Sequence, residues 1–250
     1  MIPPSLRSLR DHLAEPVDAR GLAAFRIGFG LTMCVGALRF LWNGWVNRFF
    51  VEPTYYFTYW GFEWVRPLPA PWMHVAFVAL AVLAAAVAAG FCYRAAIIGF
   101  AALFIYVELI DVTNYLNHYY FISLTAVILA FLPAHASWSV DALLRKSGAS
   151  ATVPRLAYSW LRFQVAAVWL SAALAKVTPD WLLGAQPLNI WLNARVDTPL
   201  IGQWFDIWEV ALAASWAGFL YDATVPFLLL WRRTRPLAFA AVLGFHFMTH

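Results

Sequence analysis

Seven long apolar runs punctuate the chain, near residues 21–42, 71–91, 94–112, 118–132, 158–176, 208–230 and 236–250. A helix needs about 20 residues to cross the hydrocarbon of a bilayer, so each run predicts one membrane helix. The fourth is short for that task and is expected to borrow from Thr113–Asn117. Turn chemistry separates the runs: Gly90 before Tyr93-Arg94, then Pro133, Pro179 and Pro236. Residues 1–20 are polar and carry Arg7, Arg10 and Arg20. The apolar stretch after them is too long for a signal-peptide core and has no small-residue cleavage site, so it reads as an uncleaved first membrane helix. No internal repeat is visible, and the Ala-rich stretch 79–89 is the one biased segment. The fold expected is all-α: a multipass transmembrane bundle of about seven membrane helices with interfacial amphipathic segments. Residues 1–20 form its cytoplasmic N-terminal segment and 21–250 a single transmembrane domain.

Composition sharpens this. Of the 250 residues, 63% are apolar and 12% charged, and the mean hydropathy is +0.68. Soluble domains run at about 45–50% apolar and about 25% charged. So little charge cannot coat a soluble particle of this size, which excludes an ordinary cytosolic enzyme, a disordered chain and a nucleic-acid binder. Aromatics reach 18%, with 14 Trp, which suits the aromatic belts found where helices meet the headgroups. Cys34 and Cys92 lie in apolar surroundings without a C-x-x-C pair. They read as core packing rather than as a disulfide, zinc or redox motif.

Charge then orients the bundle. With the N-terminus in the cytoplasm, the inner segments carry Arg7, Arg10, Arg20, Arg94, Arg145, Lys146, Arg155, Arg232, Arg233 and Arg235, and the outer ones only Arg48, Arg66 and Arg195. That asymmetry is the positive-inside pattern. The same orientation sends Asn117-His118, Lys176, His246 and His250 toward the outer side. Nine of the 14 tryptophans go with them, Trp181 included. An aromatic belt explains most of these; the alternative is an outer layer, residues 43–70 and 178–207, roofing a pocket for a flat lipophilic ring.

Lys176 is the most informative position. The 17 basic residues include only two lysines, Lys146 in an inner loop and Lys176 at a membrane helix end. Arginine stays protonated, whereas a desolvated lysine gives up its proton and can act as a base. The competing reading is a snorkelling lysine. His118, in Tyr115-Leu-Asn-His-Tyr-Tyr120, is either a hydrogen-bonded structural group or a proton carrier. Asn117 by itself reads as a helix N-cap. His246 and His250, spaced i, i+4, could ligate haem or metal but equally suit membrane packing. Arg26, Glu108, Asp111, Arg162, Glu209 and Asp222 lie in or beside helices, where such groups normally pair inside the bundle.

Several segments together resemble the vitamin K-dependent gamma-carboxylase family and its bacterial relatives, the horizontally transferred transmembrane domain proteins. They are Pro16-Val17-Asp18, Leu22 to Gly30 with its Phe25-Arg26, Arg66-Pro67-Leu68-Pro69, Trp72-Met73 and Gly90-Phe91-Cys92-Tyr93-Arg94. Asn117-His118, Trp138-Ser139-Val140-Asp141, Leu161-Arg162-Phe163-Gln164, Ala175-Lys176, Asp180-Trp181 and Phe245-His246 follow in the family's order.

The resemblance implies a membrane enzyme that deprotonates reduced vitamin K, a naphthohydroquinone, which then reacts with oxygen. The strong base so formed takes a gamma proton from a glutamate in a protein or peptide substrate, and carbon dioxide adds there. Vitamin K epoxide is the coupled product. By resemblance Lys176 is the initiating base, Asn117 and His118 complete the catalytic set, and His246, Trp181 and Tyr119 bind the cofactor. No metal is implied. The location implied is a bacterial inner membrane, with the lipid bilayer and a lipophilic quinone as partners and the site on the outer side. Two departures stand out. The chain stops at His250 inside an apolar run, without the C-terminal soluble domain of the animal carboxylases, which reads as a truncated product or fragment. Thr249 also stands where the family has asparagine. A quinol oxygenase that does not carboxylate, and a transport or scaffold protein, are the rival readings.

Overall fold

The structure, a computed structural model, describes residues 4–145 and 152–248. Lys146, Thr249 and His250 lie outside the described residues, and with them the inner-loop lysine and the His246/His250 pairing. The chain forms two compact units, Met1–Leu161 and Arg162–His250. In the first, α1 (Pro4–Ala14) leads through β1 (Pro16–Asp18) into α2 (Arg20–Trp42) and the short α3 (Trp45–Phe50). Helices α4 (Ala70–Ala89), α5 (Tyr93–Leu109) and α6 (Asn117–Phe131) follow, then α7 (Val140–Leu144), β2 (Thr152–Pro154) and the start of α8 (Arg155–Ala175). The second unit holds the rest of α8 with α9 (Pro179–Leu182), α10 (Leu188–Asn193), α11 (Trp208–Leu230) and α12 (Arg235–Met248).

Each of the seven apolar runs is one helix, and the chain is an all-α membrane bundle. Three helices, α2, α4 and α11, are long and apolar enough by length and composition to cross a membrane. Their exposed faces are apolar, as a lipid-facing surface requires: Leu31, Val35 and Leu38 on α2, and Val75, Val78 and Val82 on α4. Small residues line the buried face between those two helices. A Cβ on Gly30 would stand 2.7 Å from the Ala84 carbonyl oxygen and 2.8 Å from the Ala88 Cα. Backbone thus meets backbone, the packing that lipid-immersed helices use because apolar burial alone gives them little drive to associate.

Polar groups fasten the other end of this unit. Strand β1 pairs antiparallel with β2, Val17 opposite Val153. The Tyr158 hydroxyl donates to the Asp18 carbonyl (2.6 Å) and accepts from the Leu22 amide (2.8 Å). Arg26 is fully buried, and its Nη2 donates to the Trp138 carbonyl at 2.5 Å, its Nη1 to that of Ala134 at 3.4 Å. Gly90 ends α4 with φ +65°, and a Cβ there would collide with the Arg26 guanidinium and Ser139. Asp141 accepts from the Cys92 and Tyr93 amides (2.8 and 2.9 Å), capping α5, while its own amide donates to the Gly90 carbonyl (3.0 Å). Three stretches behind the family resemblance, around Arg26, Gly90–Arg94 and Trp138–Asp141, are therefore one polar joint. Beside it His135 stacks on Tyr93. Burial pushes the His135 imidazole below its ordinary range, and the nearby Arg145 adds to the effect.

Three expectations are corrected. α6 does not borrow from Thr113–Asn117 beyond Asn117 itself. The Asp111 carboxylate accepts from the Thr113 amide (2.9 Å) and hydroxyl (2.8 Å), which holds Val112–Asn114 as a separate 3-10 turn. Asn117 is the first helical residue rather than the N-cap; Leu116, extended, holds the cap position. Cys92 is exposed rather than core packing, because its left-handed backbone (φ +43°) presents its amide to Asp141. Pro236 does mark a break, lying in the first turn of α12, where a missing amide hydrogen leaves no bond unmade.

Candidate functional site

The second unit builds its site at the end of α8. The last turn tightens, with the Lys176 and Val177 amides donating to Ala173 and Leu174 (both 3.0 Å). Thr178 then restarts the helix: its hydroxyl accepts from the Trp181 amide (3.2 Å), with Pro179 in the first turn of α9. This turn brings Lys176 and Trp181 together. Lys176 Nζ donates to Asp222 Oδ2 at 2.6 Å and to the Ala172 carbonyl at 3.3 Å, and lies 4.9 Å from the centre of the Trp181 ring. α11 supplies the counterpart. The Trp181 indole donates to the Ser215 carbonyl (2.9 Å) and the Trp216 indole to that of Leu182 (3.0 Å), so two bonds of opposite direction tie α9 to α11.

Lys176 is therefore half of an ion pair rather than an isolated amine. The two side chains are 20% and 10% exposed, neither sealed in nor in free contact with water. Each charge neutralises the other, which is how both reside among apolar helices; removing one would strand its partner. Among the described residues, Ser215 Oγ, Tyr221 Oη and Gln186 Oε1 of the same unit are buried polar atoms without partners. Asp222 was grouped in the sequence with other intrahelical charges, and its partner lies 46 positions away. The available signal was a lone carboxylate deep in an apolar helix together with a lone lysine at another helix end.

The other predicted residues are placed as follows. Asn117 and His118 are exposed on the first turn of α6, in the first unit, with the His118 ring edge-on to Tyr119 at 4.6 Å. His246 is exposed on α12, its Nδ1 2.8 Å from the Val242 carbonyl and its ring 5.8 Å from Phe245. Phe245 in turn stacks on Tyr221 at 4.5 Å, the neighbour of Asp222. Trp181 thus joins Lys176, and Tyr119 joins His118; the two groups belong to different units. Most outer-layer tryptophans suit the belt reading, since Trp42, Trp60 and Trp64 are 91%, 95% and 76% exposed. Trp45 does not: with Tyr119 it lines a cavity of about 550 Å³ inside the first unit.

Helices with apolar exteriors, small-residue contacts and an ion pair held between apolar segments define a helical membrane protein with a polar site in its interior. The HTTM domain family matches residues 14–250, and the chain belongs to that family. HTTM domains are found in vitamin K-dependent carboxylase-type proteins. No solved structure matches the chain.

Proposed function

We propose that the chain is a membrane enzyme of the vitamin K-dependent carboxylase type, acting on a reduced naphthoquinone, oxygen and carbon dioxide with a glutamate-bearing peptide as acceptor. The observation that carries this reading is the Lys176–Asp222 pair beside the Trp181 indole. A bound naphthohydroquinone would supply the reactive ring that couples oxygenation to proton removal from glutamate. The chain's own part is to bind and to move one proton. Trp181 offers a flat face for the ring, and the Ser215 and Tyr221 hydroxyls offer hydrogen bonds to its oxygens. In the ion-paired state Lys176 Nζ already holds its proton, so a proton arriving from a hydroxyl goes to Asp222. With Asp222 protonated beforehand, Lys176 Nζ takes it. Either way the pair gains one proton, and the Lys176 ammonium remains to stabilise negative charge on the donor oxygen. Apolar helices around the pair limit water, which would quench a strong base. Asn117 and His118 would orient or polarise the base or the developing oxyanion, His246 would contact quinone or substrate, and Tyr119 the quinone; these four assignments rest on the resemblance. The location that goes with this reading is a bacterial inner membrane, N-terminus cytoplasmic and site outward.

Membranes containing the full chain, given reduced vitamin K, bicarbonate and oxygen, should form the epoxide and label glutamate in an acceptor peptide. Lys176→Ala should abolish both. Epoxide that survives this change would sink the base assignment. Epoxide without labelled glutamate would replace carboxylation with quinol oxygenation, and neither product would remove the enzyme reading. Orientation is read separately: in a chain without Cys34 and Cys92, a cysteine replacing the exposed Asp197 should react with an impermeant reagent from outside, and labelling only from inside would reverse the topology.

A further inference from the structure

The cavity in the first unit is lined by residues of that unit and has a chemistry of its own. Small residues on α2, Gly36 and Ala37, open it, and a Cβ added at Gly36 meets nothing within 4 Å. Aromatic rings line it as well: Phe40 stacks on Phe77 at 5.2 Å and Phe100 on Phe104 at 5.5 Å. Its polar residues gather where α2 and α5 end and α6 begins: Arg39, Arg48, Glu108 and Asn114. The cavity is thus polar at one end and apolar in depth, along the direction of the helices.

The two arginines decide what belongs there. Arg39 lies over the Trp45 ring at 4.9 Å and Arg48 over Phe49 at 5.5 Å. Among the described residues neither makes an ion pair or a hydrogen bond, so both guanidinium groups keep their donors for a ligand. A planar guanidinium matches the oxygens of a phosphate in pairs. Glu108, in the same rim, suits a hydroxyl. A volume of about 550 Å³ lies in the range that holds small lipophilic ligands.

We infer that this cavity binds an anionic glycerolipid, its phosphate on Arg39 and Arg48, its head hydroxyls toward Glu108 and Asn114, and one chain among the aromatic rings and Gly36. The inference is independent of the reaction at Lys176 and holds for a chain without catalytic activity.

Native mass spectrometry of the full chain in detergent, titrated with phosphatidylglycerol, tests it. Phosphatidylcholine and inorganic phosphate serve as comparison probes. One phosphatidylglycerol should bind, and more tightly than phosphatidylcholine. The double variant Arg39→Gln/Arg48→Gln should weaken it by about 25-fold, the effect of two basic residues at a lipid surface. Gly36→Leu adds a side chain to the cavity lining at a position where its Cβ meets nothing within 4 Å, and it replaces glycine in a helix, so the folded variant should lose the lipid as well. Two variants failing for different reasons, each with an unchanged melting midpoint, separate loss of the site from loss of the fold. Equal affinity for phosphatidylcholine, or displacement by inorganic phosphate alone, overturns the inference. So does unchanged binding to Gly36→Leu, which would place the lipid on the outer surface and leave the cavity out of it.

Discussion

Two cations set among apolar helices, one in each unit, are held in opposite ways. Arg26 is wholly inaccessible and rests on backbone carbonyls of the α6–α7 connection, with Gly90 cleared to make room for it. Lys176 keeps a fifth of its side chain accessible and faces a carboxylate at 2.6 Å. The partner decides the capability. Carbonyls cannot exchange a proton with a guanidinium that never loses one, so the Arg26 joint is static and structural. An amine facing a carboxylate at hydrogen-bond distance is what the proposed proton transfer asks of the Lys176 pair. The lesson is that an intramembrane charge points to function when its partner can titrate, and to architecture when it cannot.

The sharpest way to break the static joint is Gly90→Ala. Its Cβ would meet Arg26 and Ser139 at a positive φ, and a loss upward of about 3 kcal/mol is expected, seen as collapse of the folded peak in size-exclusion chromatography. Arg26→Met should cost about 2–3 kcal/mol by leaving buried carbonyls unmet, read from thermal unfolding in detergent. At the reactive pair the prediction is a cycle. Asp222→Asn alone should destabilise by about 3 kcal/mol and abolish turnover, whereas Lys176→Met/Asp222→Leu should recover most of the stability and none of the activity. Additive losses in the double variant would mean that the two groups do not interact.

His135 supplies a pH test of the static side. Its folded pKa lies below the unfolded value of 6.5 because the neutral ring is buried, so its contribution is present above that pH and fades as pH falls below it. The melting midpoint should drop from pH 7.5 to 5.5, and His135→Gln should flatten that part of the profile. The smallest effect is expected for Trp181→Phe. It removes the 2.9 Å bond to Ser215, costing about 1 kcal/mol, while an aromatic face over Lys176 stays in place. A large loss of turnover with little loss of stability would show that the indole N–H itself serves the ligand.

How legible was this in the sequence? Every apolar run became a helix, because in a bilayer the backbone can satisfy itself in few other ways. Gly90 and Pro179 marked real boundaries for local reasons, a left-handed cap and a first-turn proline. Lys176 stood out by scarcity alone. Asp222 did not, since the apolar helix around it sets no register against α8. Asn117 misled as a cap because the local signal of a capping side chain says nothing about where the helix starts once Asp111 has taken over the preceding turn.

The chain by itself determined the membrane class, the helix count in apolar runs and the lysine that stands out as the candidate base. These follow from one-dimensional quantities: run length, charge placement and residue type. Only the tertiary structure decided that Arg26 meets carbonyls, that Lys176 meets a carboxylate 46 positions away, and that small residues on α2 leave a cavity lined with aromatic rings. Those outcomes depend on how helices rotate and pack against one another. In lipid no hydrophobic gradient records that rotation in the sequence pattern, since the outward and inward faces are both apolar.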